Sequence, residues 1–364
     1  MDLAVPPRPK TLKIRGGQSD SSARILSYKI WEAIIQGKAG GHPADIKMMW
    51  VLGSNPVNQM PDTNKCHQAF KKLEFVLVHE QYMSATAKFA DILLPVNTWM
   101  EREDYAAPWL GAPYYAYANK AIDPLGESRS DLEICTELAA RLGIQGFNDK
   151  TEEEWLRHLI AEMPDIPDYD EFKRKGIHKV QLAEPFVAFK AQIEDPENNP
   201  FATPSGKIEI YSQTLADMND PKIPPIPKYF DAEENWNQPL ARRYPLQFIS
   251  THFRRRVHAQ YDNLPWLRRV EPQALWINPV DAQPRGIKDG DLVKVFNDRG
   301  VVMTPAWVTE RIMPGVVHLA EGGNYHPDEQ GIDRGGNPNV LTSSEPSPLG
   351  SNVDNSCLVE VQRA

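Results

Sequence analysis

The chain has 364 residues, 41% of them hydrophobic and 24% charged, which is enough for two domains with real cores and excludes general disorder. Forty basic against 49 acidic residues leave a formal charge of -9, which argues against nucleic acid as a partner because phosphate neutralisation calls for basic faces. The three cysteines, Cys66, Cys135 and Cys357, are far apart with no CxxC pair, so their spacing suggests neither a disulfide framework nor an iron–sulfur or zinc site, and all three are expected to be buried small hydrophobes.

The N-terminal stretch MDLAVPPRPKTLKIRGG lacks the apolar core of a signal peptide, and no run approaches the roughly 20 apolar residues of a bilayer span, so no direct membrane insertion is expected and no address within these residues, an address encoded upstream being the alternative. Prolines punctuate the chain at positions 6 to 9, at 185 to 204 and in PKIPPIPKY from 221. SARILSYKIWEAIIQG has helical apolar spacing. IKMMWVLGSNP reads as a buried strand entering a turn, KCHQAFKKL as a helix, and FVLV and ILLPV as further strands. This alternation predicts an α/β class with a parallel, Rossmann-like sheet covered on both faces, whose ligands lie beyond the carboxyl ends of its strands. DLEICTELAARLGI (131–144) predicts an amphipathic helix ending at Gly143, and TEEEWLRHLIAEM opens with a Thr151–Glu154 capping box. From about residue 244 the texture changes to PLQFIST, ALWINP, LVKVFN, VVMTPAWVT and VVHLAE, short strands between Gly, Pro and Asp turns, which predict a mostly-β closed barrel. The expected organisation is an α/β domain over 1–212, a Pro-rich linker over 213–243 and a barrel over 244–364.

Polar residues gather where the first two strands end. Gly53-Ser54-Asn55-Pro56 follows the first, and His79-Glu80 closes the second, where an acid can accept hydrogen bonds from a ribose or base. A turn and a solvated acid are the alternative reading of the same residues. There is no GxGxxG and no GxxxxGK[ST] in the chain, which disfavours a nicotinamide or ATP site. Asp281, Asp289 and Asp291 lie in WINPVDAQPRGIKDGDLV and are expected to form turns, since the further ligands of a calcium loop are missing.

FADILLPVNTWMERED, with Ser84, Thr86, Ala87 and Lys88 before it, resembles a segment shared by the molybdopterin oxidoreductases of the dimethyl sulfoxide reductase family, and GSNP resembles that family's Gly-x-Asn-Pro loop. TPSGKIEIYS (203–212) and INPVDAQPRGIKDGDLVKVFNDRG (277–300) resemble its C-terminal region, and DAQPRGIKDGD, FNDRG and NVLTSSEPSPL look most like the catalytic subunits of its anaerobic dimethyl sulfoxide reductases. The resemblance runs over roughly residues 45 to 360. It implies a double-psi type for the barrel, a bis-molybdopterin guanine dinucleotide cofactor with molybdenum, and oxygen-atom transfer from a sulfoxide or amine oxide. It also implies an iron–sulfur electron-transfer subunit and a membrane anchor subunit as partners.

Carried onto this sequence, the resemblance implies that Gly53, Ser54 and Asn55 line a phosphate and ribose, that Glu80 meets the ribose, and that Thr86 and Asp91 face the sugar or guanine. A carboxylate matches the adjacent N1–H and N2–H₂ donors of guanine, whereas an acid capping the strand ILLPV is the other reading of Asp91. THFRRRVHAQYDN (251–263) resembles the segment that enters between the pterins, with Arg254, Arg256 and His258 directed at pyrophosphate or pterin; at least one of the three consecutive arginines is expected to face solvent. GGNYHPDEQGIDRGGNPN (322–339) and SNVDN (351–355) resemble late pterin-contacting loops, with Asn339 the preferred contact and His326 either a ligand or part of a structural His-Pro turn. The family's iron–sulfur cysteines and its molybdenum-ligand region have no counterpart here, so no catalytic residue is expected in this chain, and activity is expected to need the larger subunit. A split enzyme completed by a separate N-terminal chain, or a non-catalytic scaffold, is the alternative.

Overall fold

A computed structural model of the chain describes residues 25–108, 112–163, 165–166, 168–348, 350–353 and 355–364. The N-terminal stretch with its proline cluster at 6 to 9 lies outside the described residues. The first helix, α1 (Ile30–Gln36), buries Trp31, Ala33 and Ile34. It is followed by β1 (Met48–Val51), α2 (Pro56–Gln59), α3 (Thr63–Lys72), β2 (Phe75–Glu80) and β3 (Ile92–Pro95). The strands form one sheet in the order β1-β2-β3, with β1 parallel to β2 from Met48 opposite Phe75 to Val51 opposite Val78. Central β2 is buried along Val76–His79, as its continuous apolar run requires. The flanking strands are not: Met48 and Trp50 on β1 and Ile92 on β3 are exposed. The expectation that the first strand is buried is therefore corrected, because only the middle strand of three has neighbours on both edges.

Leu94–Met218 forms a separate compact unit. Its sheet, β4 (Asp104–Ala106), β5 (Tyr114–Ala118) and β6 (Ile177–Lys179), is antiparallel in the order β4-β5-β6. Three longer helices, α4 (Asp131–Arg141), α5 (Glu152–Ala161) and α6 (Tyr169–Lys175), belong to it. The expected capping box is present at Thr151–Glu154, a second one stands at Ser130–Glu133, and Gly143 takes the left-handed conformation (φ +73°) that stops α4. Its small core joins Tyr115, Tyr117, Leu156, Ile160 and Phe172.

The chain then builds β7 (Leu246–Ile249), β8 (Leu275–Ile277), β9 (Leu292–Phe296), β10 (Val301–Val308), β11 (Val316–His318) and β12 (Cys357–Arg363). These six close into a barrel in the order β10-β8-β11-β7-β12-β9. Two of its pairings, β8 with β10 and β7 with β11, are parallel, and the rest are antiparallel. Residues two apart, such as Leu246 and Phe248, Val293 and Val295, or Val359 and Val361, are fully or almost fully buried, the period that one-sided strands must show. As expected, Asp289 and Asp291 stand in the turn that leads into β9, their carboxylates accepting hydrogen bonds from the amides of Val308 and Lys288, both at 2.9 Å. Asp281 departs from the expectation: it lies in the short helix Pro279–Ala282, and its carboxylate accepts from the distant Gly315 amide at 2.7 Å.

One hydrophobic core runs from Trp31 on α1, Phe70 on α3 and the sheet residues Val51 and Val78 to the barrel residues Phe248, Leu275, Val295 and Val359. The described residues from 25 to 93 and Asn219–Ala364 accordingly make a single compact unit. The compact units thus do not follow the sequential division into 1–212, 213–243 and 244–364, because the apolar faces of the first sheet and its helices are buried against the barrel. Cys66 and Cys357 are buried in that unit as expected, but Cys135 on α4 is only half-buried. Among the described residues no helix is long and apolar enough to cross a membrane.

Candidate functional site

The turn after β1 is set by Gly53, whose φ of +57° favours glycine. Ser54 Oγ and the Asn55 amide both donate to Gln59 Oε1, at 2.9 and 3.0 Å. Asn55 is buried, and its Oδ1 accepts from the hydroxyl of Thr86 at 2.7 Å and from its amide at 3.2 Å, while Thr86 Oγ1 accepts from the Val57 amide at 3.1 Å. Thr86 is completely buried, so it fixes the Asn55 turn instead of offering its hydroxyl to a ligand. This turn presents Asn58 and Gln59 to the barrel side of the same unit. The Asn58 carbonyl accepts from Asn339 Nδ2 at 2.9 Å, and Asn58 Oδ1 accepts from the Tyr325 amide at 2.8 Å.

Parallel strands β7 and β11 run out together beneath that turn. Their register pairs Ile249 with His318, and beyond the strands the Leu319 amide donates to the Ile249 carbonyl (3.2 Å) and the Glu321 amide to the Thr251 carbonyl (3.0 Å). The Ser250 amide donates to Asn355 Oδ1 at 2.8 Å. Together these groups enclose a cavity of about 430 Å³, whose polar lining includes Asn58, Gln59, Ser250, His252, His258 and Asn339. That size suits a small-molecule site. Asn58 Nδ2 and Ser250 Oγ are buried on its wall without a hydrogen-bond partner among the described residues. Such groups are costly to leave unpaired, so they fit a polar ligand. His318, beneath the cavity, lies 2.8 Å from Thr251 Oγ1, and burial pushes its pKa below the ordinary imidazole value.

The late loop that covers this region is organised by Asp333, which is fully buried. Its carboxylate accepts from the amides of His326 (2.7 Å), Gly335 (3.0 Å) and Asn337 (2.7 Å). Burial nevertheless leaves its pKa above the usual carboxylate value, the amide donors offsetting only part of that cost. A second hub lies beside it. Arg256 Nη1 donates to Asp262 Oδ1 and Nη2 to Gln273 Oε1, both at 2.6 Å, and Gln273 Nε2 donates to the carbonyls of Ala320 and Gly336 at 2.6 and 2.8 Å. Arg256 and Asp262 line a smaller cavity of about 220 Å³ together with Arg255, Arg268, His326 and Arg334.

Of the residues singled out in the sequence, His258 and Asn339 meet in the larger cavity, and Asn355 of SNVDN joins them; Asp354 lies outside the described residues. Gly53, Ser54 and Glu80 stand together at the carboxyl edge of the sheet, where Glu80 Oε1 accepts from the Gln81 amide at 2.9 Å. Asp91 is not brought to that edge. Its carboxylate accepts from the Val76 amide at 2.7 Å, and its amide donates back to the Val76 carbonyl at 2.9 Å. Val76 is four residues before Glu80 on β2, roughly 13 Å away along a strand, so Asp91 ties down the strand's start. Arg254 is largely exposed beside Glu271 (2.9 Å), the solvent-facing member expected among the three arginines. Arg256 is buried in its ion pair, neutralised by Asp262. His326 Nδ1 lies 2.9 Å from Lys88 Nζ, and its amide donates to Asp333 Oδ1 at 2.7 Å. Sequence reasoning missed Asn58, Gln59, His252 and Glu321. The continuation of the β7–β11 register carried the signal for the last two, but the pairing of distant strands is not written in either segment.

Comparisons with known proteins agree with this geometry. Residues 14–141 match the family described as Molybdopterin oxidoreductase and residues 246–357 that described as Molydopterin dinucleotide binding domain. The chain is 43% identical over 339 residues to dimethyl sulfoxide reductase DmsA of Escherichia coli (strain K12), covering 87% of this chain and 42% of that protein. It is 35% identical over 357 residues to a dimethyl sulfoxide/trimethylamine N-oxide reductase of Cereibacter sphaeroides, covering 90% and 42%. The chain therefore spans about two-fifths of the length of these relatives. In fold it is similar to acetylene hydratase from Pelobacter acetylenicus, with a TM-score of 0.75 at 21% identity over 93% of this chain and 46% of that one.

Proposed function

Because the chain belongs to the dimethyl sulfoxide reductase family of molybdopterin oxidoreductases, we propose that it binds molybdopterin guanine dinucleotide within a molybdenum oxidoreductase that reduces sulfoxides or amine oxides. The observation that carries this reading is the amide- and imidazole-lined cavity at the ends of β7 and β11, with the unpaired Asn58 Nδ2 and Ser250 Oγ on its wall. When bound, in the bis-dinucleotide form with molybdenum, the cofactor supplies the oxygen-atom and two-electron chemistry that no side chain has. The chain's own residues bind and orient. Asn58, Gln59 and Asn339 offer amide donors and acceptors to a pterin or sugar edge, His258 and Ser250 offer donors to anionic oxygens, and Gly53 and Ser54 with Glu80 offer a second polar edge to a guanosine end.

Arg256 and Asp91 take supporting places in this scheme, Arg256 by fixing the 251–273 segment against the late loops and Asp91 by fixing β2. The mixed parallel and antiparallel pairing of the six-stranded barrel supports a double-psi type. The names of the relatives favour dimethyl sulfoxide or trimethylamine N-oxide as substrate class. An iron–sulfur electron-transfer subunit and a membrane anchor are the partners this function calls for. The test is to purify the chain from a molybdenum-sufficient host, denature it, and quantify guanine nucleotide and molybdenum per chain. Near-stoichiometric nucleotide that falls in Asn58→Ala and Asn339→Ala chains is expected; a wild-type chain from which no guanine nucleotide is released overturns the proposal.

A further inference from the structure

We infer that His252, His258 and Glu321 form a binding site for a divalent transition-metal ion such as Zn²⁺ at the mouth of the β7–β11 cavity. The ligating atoms of the three residues all lie within 4.8 Å of one another. Glu321 Oε1 is 2.7 Å from His252 Nδ1 and 3.0 Å from His258 Nδ1, and the two imidazole rings are 5.0 Å apart. Protein ligands sit about 2.0–2.2 Å from zinc, which puts neighbouring ligand atoms of a tetrahedral site roughly 3.3–3.5 Å apart. Small side-chain rotations therefore suffice to admit an ion, and two neutral imidazole nitrogens with one carboxylate suit a borderline metal better than the all-oxygen shell of calcium or magnesium.

The fold explains why the three converge. Ile249 pairs with His318 in parallel register, so three residues further on His252 falls beside Glu321, and the bond from the Glu321 amide to the Thr251 carbonyl holds that alignment beyond the strands. His258 returns to the same place through the turn closed by the Val257–Gln260 bridge, adopting a left-handed φ of +53°. Gly322 lets it approach: a Cβ there would lie 1.8 Å from the His258 carbonyl oxygen. Glu321 Oε1 is the carboxylate oxygen that faces the Nδ1 atoms of both rings, which places it to share one ion with them. Three protein ligands leave a fourth position open, in a cavity that Asn58, Gln59 and Asn339 also line, the arrangement in which zinc retains an exchangeable ligand.

The site shares His258 and its cavity with the cofactor reading, so it concerns the chain free of nucleotide, and the metal titration reports on it whether or not guanine nucleotide is retained by the chain as purified. Titrating the full, chelator-treated chain with Co²⁺ should produce saturable ligand-field absorption that Zn²⁺ displaces. The His252→Ala/His258→Ala chain should bind about 100-fold more weakly or worse, having lost two of three protein ligands, with its far-ultraviolet circular dichroism unchanged. Undiminished Co²⁺ affinity in that folded double variant overturns the site, as does a wild-type chain that shows no saturable absorption. If the double variant does not fold, zinc-edge X-ray absorption on the wild-type chain decides: imidazole back-scattering from two ligands supports the site, and a first shell without imidazole refutes it.

Discussion

Replacing Asp262 by alanine tests how the cavity walls are held together. The Arg256 and Asp262 side chains are 4% and 3% exposed and joined at 2.6 Å, and Asp262 Oδ2 also accepts from the Asn324 amide at 3.0 Å. Burial disfavours the charged carboxylate, but the hydrogen bonds from Arg268 and Arg256 outweigh it and hold its pKa below the ordinary value. Burial also pulls the Arg256 pKa down; the Asp262 direction governs, because guanidinium stays protonated at any accessible pH. Asp262→Ala strands a buried guanidinium, which costs about 3–5 kcal/mol, equivalent to a fall in Tm of roughly 6–20 °C for a unit of this size. Adding Arg256→Met should recover part of the loss by removing the unpaired charge. Urea unfolding followed by tryptophan fluorescence measures both. A single-variant loss under about 1 kcal/mol, or a double variant weaker by the simple sum, would refute the assignment of this pair as a buried, mutually dependent hub. Since the folded pKa is depressed, the pair's contribution is present above the unfolded value of about 3.9 and is lost as pH falls through the lower folded value.

Other outcomes follow from the same structure. Gly322→Ala should cost about 1–3 kcal/mol from overpacking against the His258 carbonyl, read as a lowered urea midpoint; an unchanged midpoint contradicts the close approach. Glu101 is held at a pKa of about 2 by hydrogen bonds from the Thr98 hydroxyl and from the Leu125 and Thr98 amides. Its stabilisation of the 94–218 unit is therefore complete above the unfolded value of about 4.3 and lost on descent toward pH 2, a dependence that Glu101→Gln should flatten in acid titrations followed by circular dichroism. Phe248→Ala, which empties the shared core, should cost about 3–5 kcal/mol, and a loss under about 1 kcal/mol would show that sheet and barrel do not share that core. Asn339→Ala should cost about 1 kcal/mol through its lost bond to the Asn58 carbonyl and reduce retained guanine nucleotide; full retention would remove Asn339 from the site.

Much of the fold was legible in local pattern. The helices at Thr63–Lys72, Asp131–Arg141 and Glu152–Ala161 follow apolar spacing and caps, and five barrel strands stand where alternating runs lie between Gly, Pro and Asp turns. The sixth, Cys357–Arg363, carries the same alternation in CLVEVQR and went unremarked. What local pattern does not encode is which distant surfaces meet. Nothing in IKMMWVLG or KCHQAFKK states that the core beneath them is completed by a barrel some 200 residues later. The site divides along the same line. His258 and Asn339 were identified through family resemblance and do meet in one cavity, while Thr86, Asp91 and Arg256 have the polar character of ligand contacts but spend it on the Asn55 turn, on β2 and on Asp262.

The division of one hydrophobic core between residues up to Leu93 and residues from Asn219 onward has a consequence for biosynthesis. A ribosome adding about 5–20 residues per second needs roughly 15–55 s after Leu93 to deliver the last barrel strand. Throughout that interval β2 and the apolar face of α3 have no barrel to pack against, while the 94–218 unit, whose core is contiguous in the chain, is free to fold on emergence. The nascent polypeptide thus passes through a long period in which residues 94–218 are folded while the elements before Leu93 still lack their partner. Ribosome-bound chains stalled near residue 230 should show protease protection over 94–218 and none over 30–90, and protection over 30–90 should appear only once the strand Cys357–Arg363 has emerged.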